Sequence, residues 1–362
     1  MAPLVYGYRP LDRGTYPLDA AERAPTYLKT WLDAFPTAVP ARRDFEDWAE
    51  NAAILDSARK LAVDVTVLPE GDGGVLVSGA GWLTPKAQPG APLGAMLGFW
   101  SNRDFITGLP IALDPIGTDE RAVRTAGNYA RSATFLRHAG RALALTGGDV
   151  EGEAGIEAGL RATVNACGHG QLFLKTVVKG FARRFDVDPS KALWPQLCAQ
   201  DDADECSGVG LSWIPVQHEG AQADVLLVQE AFEPRYEYRV FIVDGKPVTS
   251  AGCIEAFTPL QNAETFDCQM EEVRSNGVVV TEPALRDRYI AFAETFCREF
   301  AAEHGEGLDY SLDLAVDGRD GAIVCQELNP PLNLGRYASS LDAWLSAIVK
   351  RTNEVALRRQ AA

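Results

Sequence analysis

One segment constrains this chain more than any other: residues 308–337, LDYSLDLAVDGRDGAIVCQELNPPLNLGRY. It reads as a β-hairpin. Residues 311–316 and 322–328 are the arms, and Asp317-Gly318-Arg319-Asp320-Gly321 is the turn, with two glycines to take positive φ. Residues two apart on a strand share a face, so Asp313 goes with Ala315 and Glu327 with Asn329. Closing the hairpin brings Asp313 near residues 325–327, so two carboxylates and an amide converge. Like charges across a sheet repel. Either these acids face water, or a hard cation with oxygen ligands reverses the sign, as Mg²⁺ does with one or two carboxylates plus substrate phosphates. Pro330-Pro331 then stops the strand.

The rest of the chain bears on that choice. Its 362 residues suggest two or three domains. Fifty acidic residues against 34 basic ones give a net charge of −16, which argues against broad nucleic-acid or anionic-membrane binding. No apolar run approaches a membrane span. The start, MAPLVYGYRPLDRG, does not read as a signal peptide. Seven scattered cysteines without a C-x-x-C pair fit reduced thiols in a cytoplasm. Four dispersed histidines offer neither a zinc site nor a His-based triad.

Residues 1–30 read as an irregular arm with a short helix near 20–31. A helix is expected over 42–60, strands at 63–68 and 74–78, and loops packed on a sheet over 79–118. The Trp-rich part of those loops, 82–100, reads as packing. A helix is expected over 119–145, and another from about 151 with Gly168 as its stop. The strand 172–174 ends in Lys175. It is followed by TVVKGFARRF, which carries Lys179, Arg183 and Arg184. Beyond a broken acidic stretch with a short helix near 191–199 come the strand 225–229 and the segment Glu230-Ala231-Phe232-Glu233. A second hairpin, 237–243 with 246–251, turns at Asp244-Gly245. In its first arm Glu237, Arg239 and Phe241 share one face, and Tyr238, Val240 and Ile242 the other. Residues 256–282 read as loop with strand fragments. Apolar spacing predicts amphipathic helices over 283–304 and 341–357.

Each chemical piece suits a nucleoside triphosphate. A lysine ending a strand, Lys175, offers a point charge to phosphate. The stretch from Gln229 through Glu233 leaves a strand and presents backbone groups to an adenine edge, with Phe232 against its face. Glu237 accepts from ribose hydroxyls, or pairs structurally with Arg239. Arg239 otherwise offers its fork to a phosphoryl group. Asp313, Glu327 and Asn329 hold Mg²⁺.

In this order, the pieces resemble the ATP-grasp superfamily from about residue 156 to 337. The likeness rests on FLK at Lys175, on Glu230 with Glu237 seven positions later, and on Asp313 with Glu327-x-Asn329. The resemblance implies an α+β fold with two subdomains clasping ATP, after an α/β N-terminal domain. The corresponding boundaries are 1–118, 119–228 and 229–362. It also implies ATP- and Mg²⁺-dependent ligation of a carboxylate to an amine through an acyl-phosphate, on small-molecule or peptide substrates. Two alternatives stand beside it: a kinase of a small acid or hydroxyl, and a nucleotide-sensing module without turnover. No nucleic-acid or membrane partner is expected, and a homodimer is left open. Two departures matter. There is no G-x-x-S-x-G after Lys175, so Lys179, Arg183 or Arg184 would supply charge there. No arginine precedes Asp313 in Tyr310-Ser311-Leu312, so Arg239 or Arg336 would take that catalytic place.

Overall fold

The computed structural model describes residues 4–8, 53–54, 56–63, 65–69, 93–98, 112–114, 129–146, 153–176, 181–203, 211, 226–253, 271–273, 279–329 and 335–361. Its strands in chain order are β1 (Leu4–Tyr8), β2 (Val65–Pro69), β3 (Leu93–Gly98), β4 (Ala112–Asp114), β5 (Leu143–Thr146), β6 (Gln171–Thr176) and β7 (Ala182–Asp186). They continue with β8 (Leu226–Glu230), β9 (Pro234–Val243), β10 (Lys246–Gly252), β11 (Glu271–Val273), β12 (Val279–Thr281), β13 (Tyr310–Asp317) and β14 (Ile323–Asn329). The helices are α1 (Ala133–His138), α2 (Glu153–Cys167), α3 (Trp194–Asp202), α4 (Pro283–His304) and α5 (Leu341–Ala361). The fold is mixed α+β. The chain divides into two compact units, one of Met1–Asp119, Tyr236–Leu314 and Asn329–Ala362, the other of Glu120–Arg235 and Ala315–Leu328.

In the first unit, β1 to β4 pair in parallel in the order β2-β1-β3-β4. Parallel neighbours require crossover connections, which is the α/β character expected of the N-terminal part. Two of these strands, β3 and β4, lie where loops were expected. β3 (LGAMLG) holds two glycines and no β-branched or aromatic residue, and pairing with β1 supplies what propensity does not. The expected helix near 20–31 and strand at 74–78 lie outside the described residues.

The same unit holds most of the sheet β10-β9-β13-β14. Helix α4 packs on this sheet, burying Leu285, Tyr289, Ala293, Phe296 and Phe300, a stripe with helical spacing. Tyr289 stacks on Tyr238 with ring centroids 5.0 Å apart, and Phe300 meets Tyr310 at 5.2 Å. Proline at the start of α4 and Gly305 at φ +100° after it mark the ends predicted from sequence.

In the second unit, β5 to β8 form an antiparallel sheet in the order β5-β8-β6-β7. Helix α2 covers it, burying Ile156, Leu160 and Val164 against Leu172, Leu174, Phe185, Leu226 and Val228. Gly168, at φ +77°, stops α2 as expected, and its N–H donates to the Val164 carbonyl at 2.8 Å. The helix expected over 119–145 is cut short. Ser132 caps α1 by accepting from the Phe135 N–H at 3.2 Å, and Gly140 at φ +63° turns the chain into β5. The apolar run that looked helical is therefore half helix and half strand. The tip of the β13–β14 hairpin belongs to this unit and its two ends to the other. Among the described residues no helix is long and apolar enough to cross a membrane.

Candidate functional site

In the second unit, Lys175 near the end of β6 forms an ion pair with Glu327 of β14. Both are largely sheltered, with side chains 16% and 26% exposed. Burial pulls the Lys175 ammonium down, but Tyr129 and Glu327 outweigh it and hold the group above its ordinary value, so it is a fixed cation. Tyr129, from a single 3₁₀ turn at Tyr129–Arg131, is fully buried, and burial pushes its phenol up to about 12.

Arg141 stands beside this pair, and sequence reasoning missed it. Its guanidinium donates to the carbonyls of Cys325 at 2.8 Å and Gln326 at 2.9 Å. It also donates twice to Gln229 Oε1, at 2.9 and 2.7 Å, and lies 4.7 Å from the Phe232 ring centroid. One side chain thus ties the hairpin tip to the end of β8. Desolvation lowers its pKa from the ordinary 12.5. The available signal was an arginine directly ahead of an apolar strand, GRALAL, the same pattern in mirror order as the strand-ending lysine.

The segment expected to face an adenine is more committed than the sequence suggested. Gln229 is buried, with its carbonyl oxygen taken by Arg141. The Glu230 and Ala231 N–H groups donate to Ala142 and Gln171 carbonyls, both at 2.9 Å, so they serve the sheet rather than a ligand edge. The Glu230 carboxylate accepts from the Ala142 N–H at 3.1 Å, pairs with Arg319 and lies 3.3 Å from His169 Nε2. Burial would raise this carboxyl, but the Ala142 N–H, His169 and Arg319 hold it below its ordinary value. The Glu233 carbonyl accepts from Gly318 N–H at 2.9 Å, and the Glu233 carboxylate pairs with Arg235 in the open. Phe232 is half-buried under Arg141. Arg183 donates to the buried Asp201 at 3.1 Å and to the Gln200 carbonyl at 3.2 Å, an anchor for α3 against β7. Lys179 lies outside the described residues.

In the first unit, β9 brings Arg239 to Asp313 of β13. The contact is a bidentate fork, Nε to Oδ1 at 2.7 Å and Nη2 to Oδ2 at 2.6 Å, with side chains only 8% and 9% exposed. Asn329 Nδ2 donates to the same Oδ2 at 3.0 Å, and Arg239 Nη1 donates to the Gly335 carbonyl at 3.0 Å. Burial lowers the Arg239 pKa, but Asp313 dominates and raises it well above its ordinary value. Arg239 is therefore the partner of Asp313, and the alternative pairing with Glu237 is replaced. Glu237 is exposed, and its backbone carbonyl accepts from Cys253 N–H at 2.8 Å. The residues before Asp313 are core: Tyr310, Ser311 and Leu312 are all buried. The charge beside Asp313 comes instead from Arg239 on the neighbouring strand β9. Arg336 is also buried, with its guanidinium 4.2 Å from the Trp344 ring centroid, so it is packed rather than presented.

The repulsion anticipated for the hairpin acids is thus answered by two dedicated cations, Arg239 for Asp313 and Lys175 for Glu327. Among the described residues no three His, Cys, Asp or Glu side chains gather as a metal set.

No family model and no curated protein matches the chain. Solved structures do. The chain is similar to a RimK domain ATP-grasp protein from Sphaerobacter thermophilus, at 10% identity and TM-score 0.41, covering 98% of this chain and 99% of that one. It is similar to the D-alanine–D-alanine ligase of Bacillus anthracis complexed with ATP, at 11% identity and TM-score 0.46, covering 99% and 100%. A D-cycloserine synthetase is similar at 13% identity and TM-score 0.46, covering 96% and 99%. Likenesses this distant carry no part of the functional reading, which rests on the residues above.

Proposed function

We propose that this chain is an ATP-grasp ligase that joins a carboxylate to an amine at the expense of ATP. The observation that carries the reading is the Lys175–Glu327 pair, a strand-ending lysine held against a carboxylate of the hairpin. Charge supports it. Without nucleotide, Lys175 and Glu327 neutralise each other, as do Arg239 and Asp313. Two carboxylates and the Asn329 amide oxygen are hard oxygen donors that suit Mg²⁺, and nothing soft competes in that set. When bound, Mg²⁺ would neutralise charge on the β- and γ-phosphoryl groups. Lys175, with Glu327 drawn to the metal, would offer its charge to a phosphoryl oxygen.

In this reading a substrate carboxylate oxygen attacks the γ-phosphorus, the bond to the bridging oxygen breaks, and ADP leaves. The acyl-phosphate is attacked by the amine, which loses a proton and expels phosphate to leave an amide. The side chains act by position and charge, so no Ser or Cys nucleophile is required. The adenine would lie along Gln229–Glu233, with Phe232 and Arg141 as its apolar and cationic surroundings. Arg336, buried on Trp344, would act by packing rather than by touching the reacting groups.

ADP release over a matrix of carboxylic acids and amines, with mass spectrometry of the products, tests this. An amide formed with equal ADP and phosphate is expected. A phosphorylated acid without amide would make the chain a kinase. MgATP binding with no ADP release over the whole matrix would make it a nucleotide sensor.

A further inference from the structure

Tyr129 has a feature that core packing does not explain. Its ring is fully buried and meets Phe135 edge-on, with centroids 4.6 Å apart. Its hydroxyl has no hydrogen-bond partner of good geometry among the described residues. The Lys175 ammonium lies 5.7 Å from the ring centroid and acts on the phenol both as a neighbouring charge and as a donor toward its oxygen. An ammonium, however, has three donors and no acceptor. Whatever Lys175 contributes, the hydrogen of the phenol has nowhere to go. A buried donor without an acceptor is costly and rare.

The surroundings say what would satisfy it. Lys175 and Arg141 both act on the phenol, and the nearby Glu327 carboxylate is paired with Lys175. A donor hydroxyl flanked by two cations favours an anionic oxygen. Burial keeps the phenol protonated across the physiological range, so it remains a donor. An apolar ligand would leave the hydroxyl as orphaned as before. A sugar hydroxyl would gain little from the cations.

We propose that Tyr129 is a phosphate-binding residue, its hydroxyl donating to a non-bridging phosphoryl oxygen of the nucleotide that Lys175 also holds. This inference rests on the nucleotide reading of the second unit. The unpaired donor is then part of a site that ligand binding completes, and its cost in the free protein is offset only in the complex.

Tyr129→Phe in the full chain separates this from a core role, because phenylalanine keeps the ring and its edge contact with Phe135. Three quantities are measured: the Tm without ligand, and the affinities for MgATP and for adenosine. The expected result is a Tm close to that of the parent, since the ring and its edge contact with Phe135 are kept. MgATP should bind about tenfold more weakly, and adenosine as before. Unchanged MgATP affinity in the variant would overturn the proposal while leaving the nucleotide reading intact. So would an equal loss for adenosine, which would indicate a distorted site rather than a lost phosphate contact. If the parent itself binds neither ligand, the nucleotide reading fails and this proposal with it.

Discussion

Replacing Arg239 with methionine leaves Asp313 as a buried carboxylate that has lost its cation, with the Asn329 amide still donating to it. The fork it loses consists of two bonds, at 2.7 and 2.6 Å, with both side chains under 10% exposed. Removing one partner of such a pair costs about 3–5 kcal/mol, because the other charge stays desolvated. Asp313→Asn alone leaves the guanidinium buried with the Gly335 carbonyl and a neutral amide, at a cost of roughly 2–3 kcal/mol. The double variant removes both charges and should be only about 1–2 kcal/mol below the parent. The singles therefore sum to more than the double, with a coupling of roughly 3 kcal/mol or more. Hydrogen–deuterium exchange of peptides from β9 and β13, under conditions where exchange reports opening, reads this locally. About 3 kcal/mol corresponds to a factor of roughly 10² in the open population. Urea unfolding followed by circular dichroism provides the global comparison. If Arg239→Met exchanged within threefold of the parent, or if the two singles added to the double, the buried-pair argument would be wrong.

Other expectations follow from the same contacts. Lys175→Met should reduce ATP turnover at least a hundredfold. Arg183→Met should leave turnover near the parent's but cost about 2–3 kcal/mol in urea unfolding, because the buried Asp201 loses its cation while keeping the Leu211 N–H. Gly170→Ala should destabilise the second unit by about 3 kcal/mol, since its Cβ would lie 1.9 Å from the Val187 backbone oxygen and β6 and β7 could not close. The pH dependence has a definite sign. The Glu230 carboxyl is held below its ordinary 4.5, and Arg319 holds that of Asp317 below its ordinary 3.8. Their stabilisation is complete above those ordinary values and is lost as pH falls through the lower folded ones. The Tm should be level above about pH 5 and fall below about pH 4, and in Arg319→Gln the level part should be lower and the acid loss smaller.

Much of this site was legible because its residues sit at strand ends with chemistry unlike their neighbours. Lys175 closes an apolar run, and Asp313 and Glu327 interrupt two others, so alternation alone placed them on a hairpin and a strand end. What stayed hidden was pairing across distant sequence. That Arg239 reaches Asp313 depends on β9 lying beside β13. That Arg141 holds Gln229 depends on β5 lying beside β8, where Leu143 opposes Gln229. Nothing local encodes either neighbour relation. Helix α1 was misread for a different reason. Its boundary depends on Gly140 taking positive φ, while the apolar residues on both sides keep a helical rhythm. The β3 strand was lost in the glycines of 93–98, where pairing on β1 outweighs propensity.

The central claim is that the cations and carboxylates of this chain receive a magnesium nucleotide. Isothermal titration of the full chain with ATP, with and without Mg²⁺, tests it before any substrate is known. The account predicts saturable one-site binding that requires Mg²⁺, tighter than about 1 mM, and at least tenfold weaker in Glu327→Gln. A folded chain that shows no heat of binding and no change in Tm at millimolar MgATP would contradict it.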